Sequence, residues 1–344
     1  MDLSIVVPVY NEEESLPELV SEIEEVMGKT ELSFELLLVD DGSRDKSIEI
    51  ARGLSVDRPW LKICEFRRNF GQTAAMQAGI DHAVGDVIAT LDADLQNDPA
   101  DIPAMLEKLD EGYDMVAGWR AGRKDTFINR RLPSIIANWL ISRTTNVRLH
   151  DYGCTLKVTR RELLQQIELY GEMHRFIPAI ASLVGARVVE MPVNHRARRY
   201  GSSKYGIGRT LRVVLDLLTV LFQQRYLSRP MQVFGLWGMF LSAAGFIICA
   251  YLAFMRIVFD TQLADRPLLT MGVLMLLAGI QLASLGLVAD LLQRTYHAAG
   301  RRRPYYVRHW ISGGGNHPAP EPSPEGEDDE ASAVESAGPR AAAS

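Results

Sequence analysis

The chain has 344 residues, 47% of them hydrophobic, and a formal net charge of −6. That length excludes a single minimal domain and leaves room for one large domain with a second element beside it. Cys64, Cys154 and Cys249 are widely spaced and match neither a disulfide framework nor a metal-ligand pattern, which excludes a cysteine-stapled secreted scaffold.

Met1-Asp2-Leu3-Ser4 leads straight into an apolar run over 3–9, with no basic leader or cleavage site, so the N-terminal part is expected to stay in the cytosol. A second apolar, β-branched run covers 34–39, and the pattern over 13–27 between them is helical. A third run, 61–66, precedes a helical stretch over 72–83, and 85–91 supplies a fourth strand. This alternation predicts a doubly wound, mostly parallel α/β sheet. Such sheets bind ligands at the carboxyl ends of their strands. Polar residues fall at those ends: Tyr10-Asn11-Glu12, Asp40-Asp41-Gly42-Ser43, Arg67-Arg68-Asn69-Phe70-Gly71, and Asp92-Ala93-Asp94-Leu95-Gln96.

The last of these is the most informative. Residues two apart on an extended chain share a face, so Asp92, Asp94 and Gln96 are expected to aim at one spot beyond the strand. Mg²⁺ and Mn²⁺ take oxygen ligands, and Mg²⁺ characteristically combines one or two carboxylates with waters and substrate phosphates. A nucleoside diphosphate suits that arrangement. Taken alone, Asp-x-Asp is equally a turn that caps the helix begun by Asp98-Pro99. No Gly-x-Gly-x-x-Gly follows the first strand and no Gly-x-x-x-x-Gly-Lys occurs, so dinucleotide and P-loop readings fail.

In order along the chain, Val7-Pro8-Val9-Tyr10-Asn11-Glu12, Val39-Asp40-Asp41-Gly42-Ser43, Asn69-Phe70-Gly71-Gln72-Thr73-Ala74-Ala75, Asp92-Ala93-Asp94-Leu95-Gln96 and Gly118-Trp119-Arg120 resemble the motifs of family 2 glycosyltransferases, in the polyprenyl-phosphate branch. The resemblance implies a GT-A fold. It also implies that Pro8, Tyr10, Glu12, Asp41, Gln72 and Asp92 bind the nucleotide sugar, and that Asp92, Asp94 and Gln96 hold Mg²⁺ or Mn²⁺. Asp94 and Arg120 are the catalytic candidates on the same ground. Arg120, Arg130, Ser134, Arg199, Ser203 and Lys204 would bind the acceptor phosphate, the last three from a basic loop similar to the family's Arg-x-x-Gly-x-Ser-Lys segment. His174-Arg175-Phe176 resembles another family motif. The Gln-x-x-Arg-Trp of processive members is absent, so transfer of a single sugar is expected.

Two uncharged stretches, 233–255 and 268–289, each exceed the roughly 18 to 20 residues needed to cross a bilayer. Arg225 and Arg229 precede the pair, and Arg294, Arg301, Arg302, Arg303 and Arg308 follow it, which predicts cytosolic ends. Leu132, Ile135, Ile136, Trp139 and Leu140 form an apolar helical stripe, as do Ile207, Leu211, Val214, Leu215, Leu218 and Leu221. Beside membrane spans, such helices suit the bilayer surface.

The expected organisation is therefore a cytosolic catalytic domain over 1–228, with interface helices at about 131–143 and 205–224. A membrane domain follows over 229–310, with spans at about 233–256 and 268–291, and a disordered acidic tail over 311–344. The expected activity is inverting, metal-dependent transfer of one hexose from a UDP- or GDP-sugar to a polyprenyl phosphate at the inner membrane. An ionised phosphate acceptor, with a second pKa of about 6, needs no strong general base. Transfer to another lipid such as diacylglycerol, and a membrane-tethered nucleotide-sugar binder without turnover, are the alternatives. Nucleic acid is not an expected partner, and the paired spans offer surface for self-association.

Overall fold

The computed structural model describes residues 1–121, 149–167, 169, 171, 173–197, 199, 230–260, 267–298, 304–313 and 315–317. In chain order the elements are β1 (Leu3–Val9), α1 (Leu16–Met27), β2 (Phe34–Asp40), α2 (Ser47–Ser55), β3 (Leu61–Phe66), α3 (Gln72–His82), β4 (Val87–Thr90), α4 (Ile102–Asp110) and β5 (Met115–Trp119). They continue with β6 (Lys157–Arg160), α5 (Arg161–Gln165), α6 (Ile177–Leu183), β7 (Val188–Pro192), α7 (Pro230–Phe259), α8 (Pro267–Ala298), β8 (Val307–Ser312) and β9 (Gly315–His317).

One sheet runs in the order β7-β5-β6-β4-β1-β2-β3-β8-β9. β1 pairs in parallel with β2 and β4, and β2 with β3. β6 lies antiparallel between β4 and β5, so the sheet is mixed but mostly parallel. Leu3, Ile5, Val6, Val7, Leu36, Leu38, Leu61 and Ile63 are buried on both faces, as central strands of such a sheet require. Each contributes about 1.5–3 kcal/mol relative to exposure. Pro8 lies beyond Val6, the last β1 residue paired with β4, where a missing N–H leaves no ladder bond unmade.

Strand order places the ligand crevice. From β1 the chain winds outward through β2 and β3, then α3 carries it back to β4 on the other side of β1. The reversal between β1 and β4 is a topological switch point, and the loops leaving these strands open a crevice there.

The C-terminal region departs from expectation. The sequence predicts a disordered tail over 311–317 and membrane domain over 304–310. Instead β8 pairs antiparallel with β3, from Lys62↔Ser312 to Phe66↔Val307, and β9 pairs with β8. Ile311 is fully buried and Trp310 nearly so. Pairing with β3 satisfies an edge that would otherwise expose its backbone groups, a gain invisible in the local composition. Two compact units result: 1–214 with 303–344, and 215–302.

In the second unit, Met231–Phe259 and Pro267–Leu292 are long and apolar enough to cross a membrane, and little of either is buried by protein. They pack closely along small residues. A Cβ on Gly238 would fall 2.6 Å from the Gly279 carbonyl oxygen, and one on Gly245 2.6 Å from that of Gly272. Small residues at such contacts let membrane helices approach backbone to backbone. The expected interface helices, at 131–143 and 205–224, lie outside the described residues.

Candidate active site

The loops after β1 and β2 are knitted together by hydrogen bonds. Asn11 N donates to Ser43 Oγ at 3.0 Å, Glu12 N to Ser47 Oγ at 2.8 Å, and Arg44 N to Asn11 Oδ1 at 2.8 Å. Asn11 takes a left-handed φ of 54°, which its side-chain bond to Arg44 N supports. Pro8, Tyr10 and Glu12 thus lie on or just after the end of β1, with Glu12 Oε2 accepting from Ser15 Oγ at 2.8 Å.

Asp41 joins the β2 loop to the β3 loop. Its carboxylate accepts from Phe70 N at 2.6 Å and from Gly71 N at 2.9 Å. The adjacent Gly42, at φ 69°, has no room for a side chain, because a Cβ would sit 2.5 Å from the Arg68 carbonyl carbon. Burial raises the Asp41 carboxyl to about 6, although the two amides and the nearby Asp40 charge act in opposite directions on it. Gln72, at the start of α3, donates from Nε2 to Asp92 Oδ1 at 2.6 Å. Three strand-end loops are therefore linked through two carboxylates.

Beyond β4, Leu95 takes φ 59° and Gln96 N donates to Asp94 Oδ1 at 3.2 Å, closing a tight turn two residues after Asp92. Burial, and then the Asp94 charge, raise the Asp92 pKa. Two like charges held this close are relieved by a cation. Among the described residues no group of three or more His, Cys, Asp or Glu gathers as a metal site. The candidate set is two carboxylates and one amide, which suits a hard cation completed by substrate phosphate and water.

Arg120, at the exit of β5, donates to Asp151 through Nε at 2.6 Å and Nη2 at 2.9 Å. This bidentate pair is largely buried, so two of the five guanidinium donors are committed to Asp151. Lys157, the first residue of β6, is 2% exposed; its ammonium donates to the Cys154 carbonyl, and burial lowers its pKa. Arg120 and Lys157 both bear electrostatically on Asp92, and the Thr155 hydroxyl hydrogen-bonds to it. Sequence reading missed Asp151, Thr155 and Lys157. The only local signal was a charged residue at the head of an apolar strand pattern.

Of the basic loop, Arg196 N donates to Gln96 O at 2.9 Å, while its guanidinium pairs with Glu22 at 2.6 Å and Asp98 at 2.8 Å. Arg199 is paired with Glu18 of α1, so in this conformation its guanidinium is engaged there. Arg130, Ser134, Ser203 and Lys204 lie outside the described residues. His174, of the His174-Arg175-Phe176 motif, is buried with Nδ1 2.6 Å from Thr73 Oγ1, which braces α3 behind the crevice.

The model of "Glycosyl transferase family 2" matches residues 4–168, from β1 through α5 and across all the strand-end loops described above. The dodecaprenyl-phosphate galacturonate synthase of Rhizobium johnstonii is 47% identical over 317 residues, covering 90% of this chain and 92% of that protein. The chain belongs to glycosyl transferase family 2. This family-2 glycosyltransferase is also 37% identical, over 91% of its length and 94% of the relative's, to an undecaprenyl-phosphate 4-deoxy-4-formamido-L-arabinose transferase of Enterobacter sp. strain 638. Its fold resembles glucosyl-3-phosphoglycerate synthase from Mycobacterium tuberculosis, solved with Mn²⁺ and UDP-glucose, at TM-score 0.51 and 17% identity, covering 64% of this chain and 78% of that one. Mannosyl-3-phosphoglycerate synthase from Rubrobacter xylanophilus gives 0.52 and 17%, covering 65% and 74%. At those identities the structural likeness establishes the GT-A architecture of the glycosyltransferase and nothing about its substrates.

Proposed function

We propose that this glycosyltransferase moves one sugar from a nucleotide sugar to a polyprenyl phosphate at the cytosolic face of the inner membrane. One observation carries the reading. A crevice with Asp41, Asp92 and Asp94 at the β1/β4 switch point belongs to a chain that continues into an apolar hairpin and then returns to the same sheet. Both relatives act, by their names, on polyprenyl phosphates. The 47% relative is named for making dodecaprenyl-phosphate galacturonate, which puts nucleotide hexuronates first among candidate donors.

β8 joins the sheet of β1–β7, so segments on both sides of the hairpin belong to one folded body, which supports a hairpin with both ends on one side of the membrane. The flanking arginines favour the cytosol as that side.

In this reading Asp41 and the β1 loop hold the nucleoside, and Asp92, Asp94 and Gln96 hold a divalent cation. That cation would supply charge neutralisation for the departing nucleoside diphosphate. Arg120 and Lys157 contribute fixed positive charge beside the same phosphates. The acceptor phosphate arrives ionised, so positioning its oxygen in line with the sugar carbon suffices and the anomeric configuration inverts. Arg120 is the described candidate for that positioning. Incubating the purified full chain with a panel of nucleotide sugars and polyprenyl phosphate, with mass spectrometry of the lipid fraction, tests the proposal. A sugar-phosphoryl-polyprenol product supports it. Transfer to diacylglycerol alone, or donor binding without any lipid product, overturns it.

A further inference from the structure

We propose that the segment following the membrane hairpin is a positioning strap for the donor loop, with Tyr305 and Tyr306 as the residues that act. The donor half of this inference rests on the nucleotide-sugar reading above. The ordering half does not.

β8 and β3 do not pair uniformly. Cys64 faces Trp310 and Glu65 faces His309, but the register shifts between Glu65 and Phe66, so that Phe66 faces Val307. Such an irregularity re-aims the residues beside it. Here it brings the two tyrosines against the exit of β3. Tyr305 is buried, its ring stacked on Phe66 with centroids 5.2 Å apart, and its hydroxyl donates to Asp81 of α3 at 2.7 Å. Tyr306 accepts at its carbonyl from Arg67 N at 3.2 Å, and its ring lies 6.0 Å from that of Phe70. The segment is anchored behind these contacts: Glu65 takes Arg52 at 2.9 Å and His309 at 3.0 Å, and Trp310 packs against His82 at 5.0 Å.

Through Phe66 and Phe70 the strap reaches the loop that lines the crevice. Phe70 and Gly71 supply the amides that bind Asp41, and Gln72, one residue on, binds Asp92. The loop 67–71 has no regular secondary structure of its own. Its amides point at Asp41 only while Phe66 and Phe70 are held, and the strap supplies an aromatic partner to each. Tyr306 is 68% exposed, so it is dispensable to the core, and its ring contact is with Phe70. Residues 299–303 alone separate α8 from this segment, so donor binding depends on chain tethered directly to the membrane hairpin.

The test uses the full chain with Tyr306→Ala, Tyr306→Phe and Tyr305→Phe, read by hydrogen–deuterium exchange over 66–72 and by kinetics in both substrates. Loss of one aromatic contact predicts about fivefold faster exchange of the Phe70 and Gly71 amides in Tyr306→Ala, with donor KM raised by about the same factor. Acceptor KM and kcat stay within about twofold, and Tyr306→Phe restores both readouts. Tyr305→Phe, which loses only the bond to Asp81, shifts both in the same direction by a smaller factor. Unchanged exchange in Tyr306→Ala overturns the strap. So does faster exchange at constant donor KM, or a fall in kcat that phenylalanine does not restore. If the wild-type chain transfers no sugar to polyprenyl phosphate, the functional reading fails, while the exchange result still decides whether the strap orders the loop.

Discussion

Gln72 Nε2 lies 2.6 Å from Asp92 Oδ1, so the first residue of α3 holds the first carboxylate beyond β4 in place. The bond takes up part of the acceptor capacity of Asp92, to which Thr155 also hydrogen-bonds. Replacing Gln72 with Leu removes the donor with little change in volume. The expected outcome is a fall in kcat/KM of about tenfold, from the typical worth of a hydrogen bond to a charged group. Rising metal concentration should recover part of the loss, as steady-state kinetics at several Mn²⁺ concentrations will read.

Asp94 has a sharper consequence. It carries charge in the turn that gathers Asp92 and Gln96, and its backbone bond from Gln96 N survives replacement by Asn. Asp94→Asn should therefore stay folded, with a melting temperature within about 3 °C of the parent. Transfer should fall by at least about a hundredfold, the scale for losing one electrostatic contact to developing charge. Labelled-donor transfer and circular dichroism melting check the two halves together.

The pH dependence follows from the raised carboxyls. Asp41 sits at about 6, and burial with the Asp94 charge raises Asp92. Protonated Asp92 cannot serve as an anionic ligand, so activity at limiting metal should decline as pH falls through about 6. Excess Mn²⁺ competes with the proton and should move that acid limb to lower pH.

Stability runs the other way for Asp41. Its folded-state pKa lies above the unfolded value of about 4, so ionisation favours the unfolded chain. This destabilising contribution is absent below about pH 4 and complete above about pH 6. Asp41→Asn should accordingly raise the melting temperature of the ligand-free protein by about 2–4 °C at pH near 8, with little gain near pH 4. Donor KM should rise at the same time. Scanning calorimetry at the two pH values reads the sign.

Arg120 and Asp151 form a bidentate pair in which both side chains are mostly buried. Asp151→Ala removes the bidentate partner of the guanidinium beside Lys157, and the expected loss is about 3 kcal/mol of stability in urea unfolding of the purified protein. Asp151→Asn keeps the shape and part of the hydrogen bonding. It should lose less stability and free Arg120 for phosphate, lowering acceptor KM.

The four strand-end loops were legible in the sequence because everything that defines them is local. Apolar runs of strand length end in polar residues, although Asp92, Asp94 and Gln96 lie on a turn past the end of β4 and not on one face of an extended strand. The apolar hairpin was legible for the same reason, since length without charge is a property of one segment. Asp151 was not legible. Its meaning comes from Arg120, which lies 31 positions earlier, and from a β6 strand inserted antiparallel between β4 and β5.

The C-terminal strands show the limit most clearly. Val307-Arg308-His309-Trp310-Ile311-Ser312 is short, half polar and set between an arginine run and a proline- and glycine-rich tail, so local composition divides it between the end of the membrane domain and a disordered tail. Only the free edge of β3, built from residues nearly 250 positions away, makes it a strand. Chemistry carried by a few neighbouring residues could be read along the chain. Partners that meet only after the sheet has closed could not, because burial and edge pairing are energies of contact between distant segments and leave no periodic trace in either one.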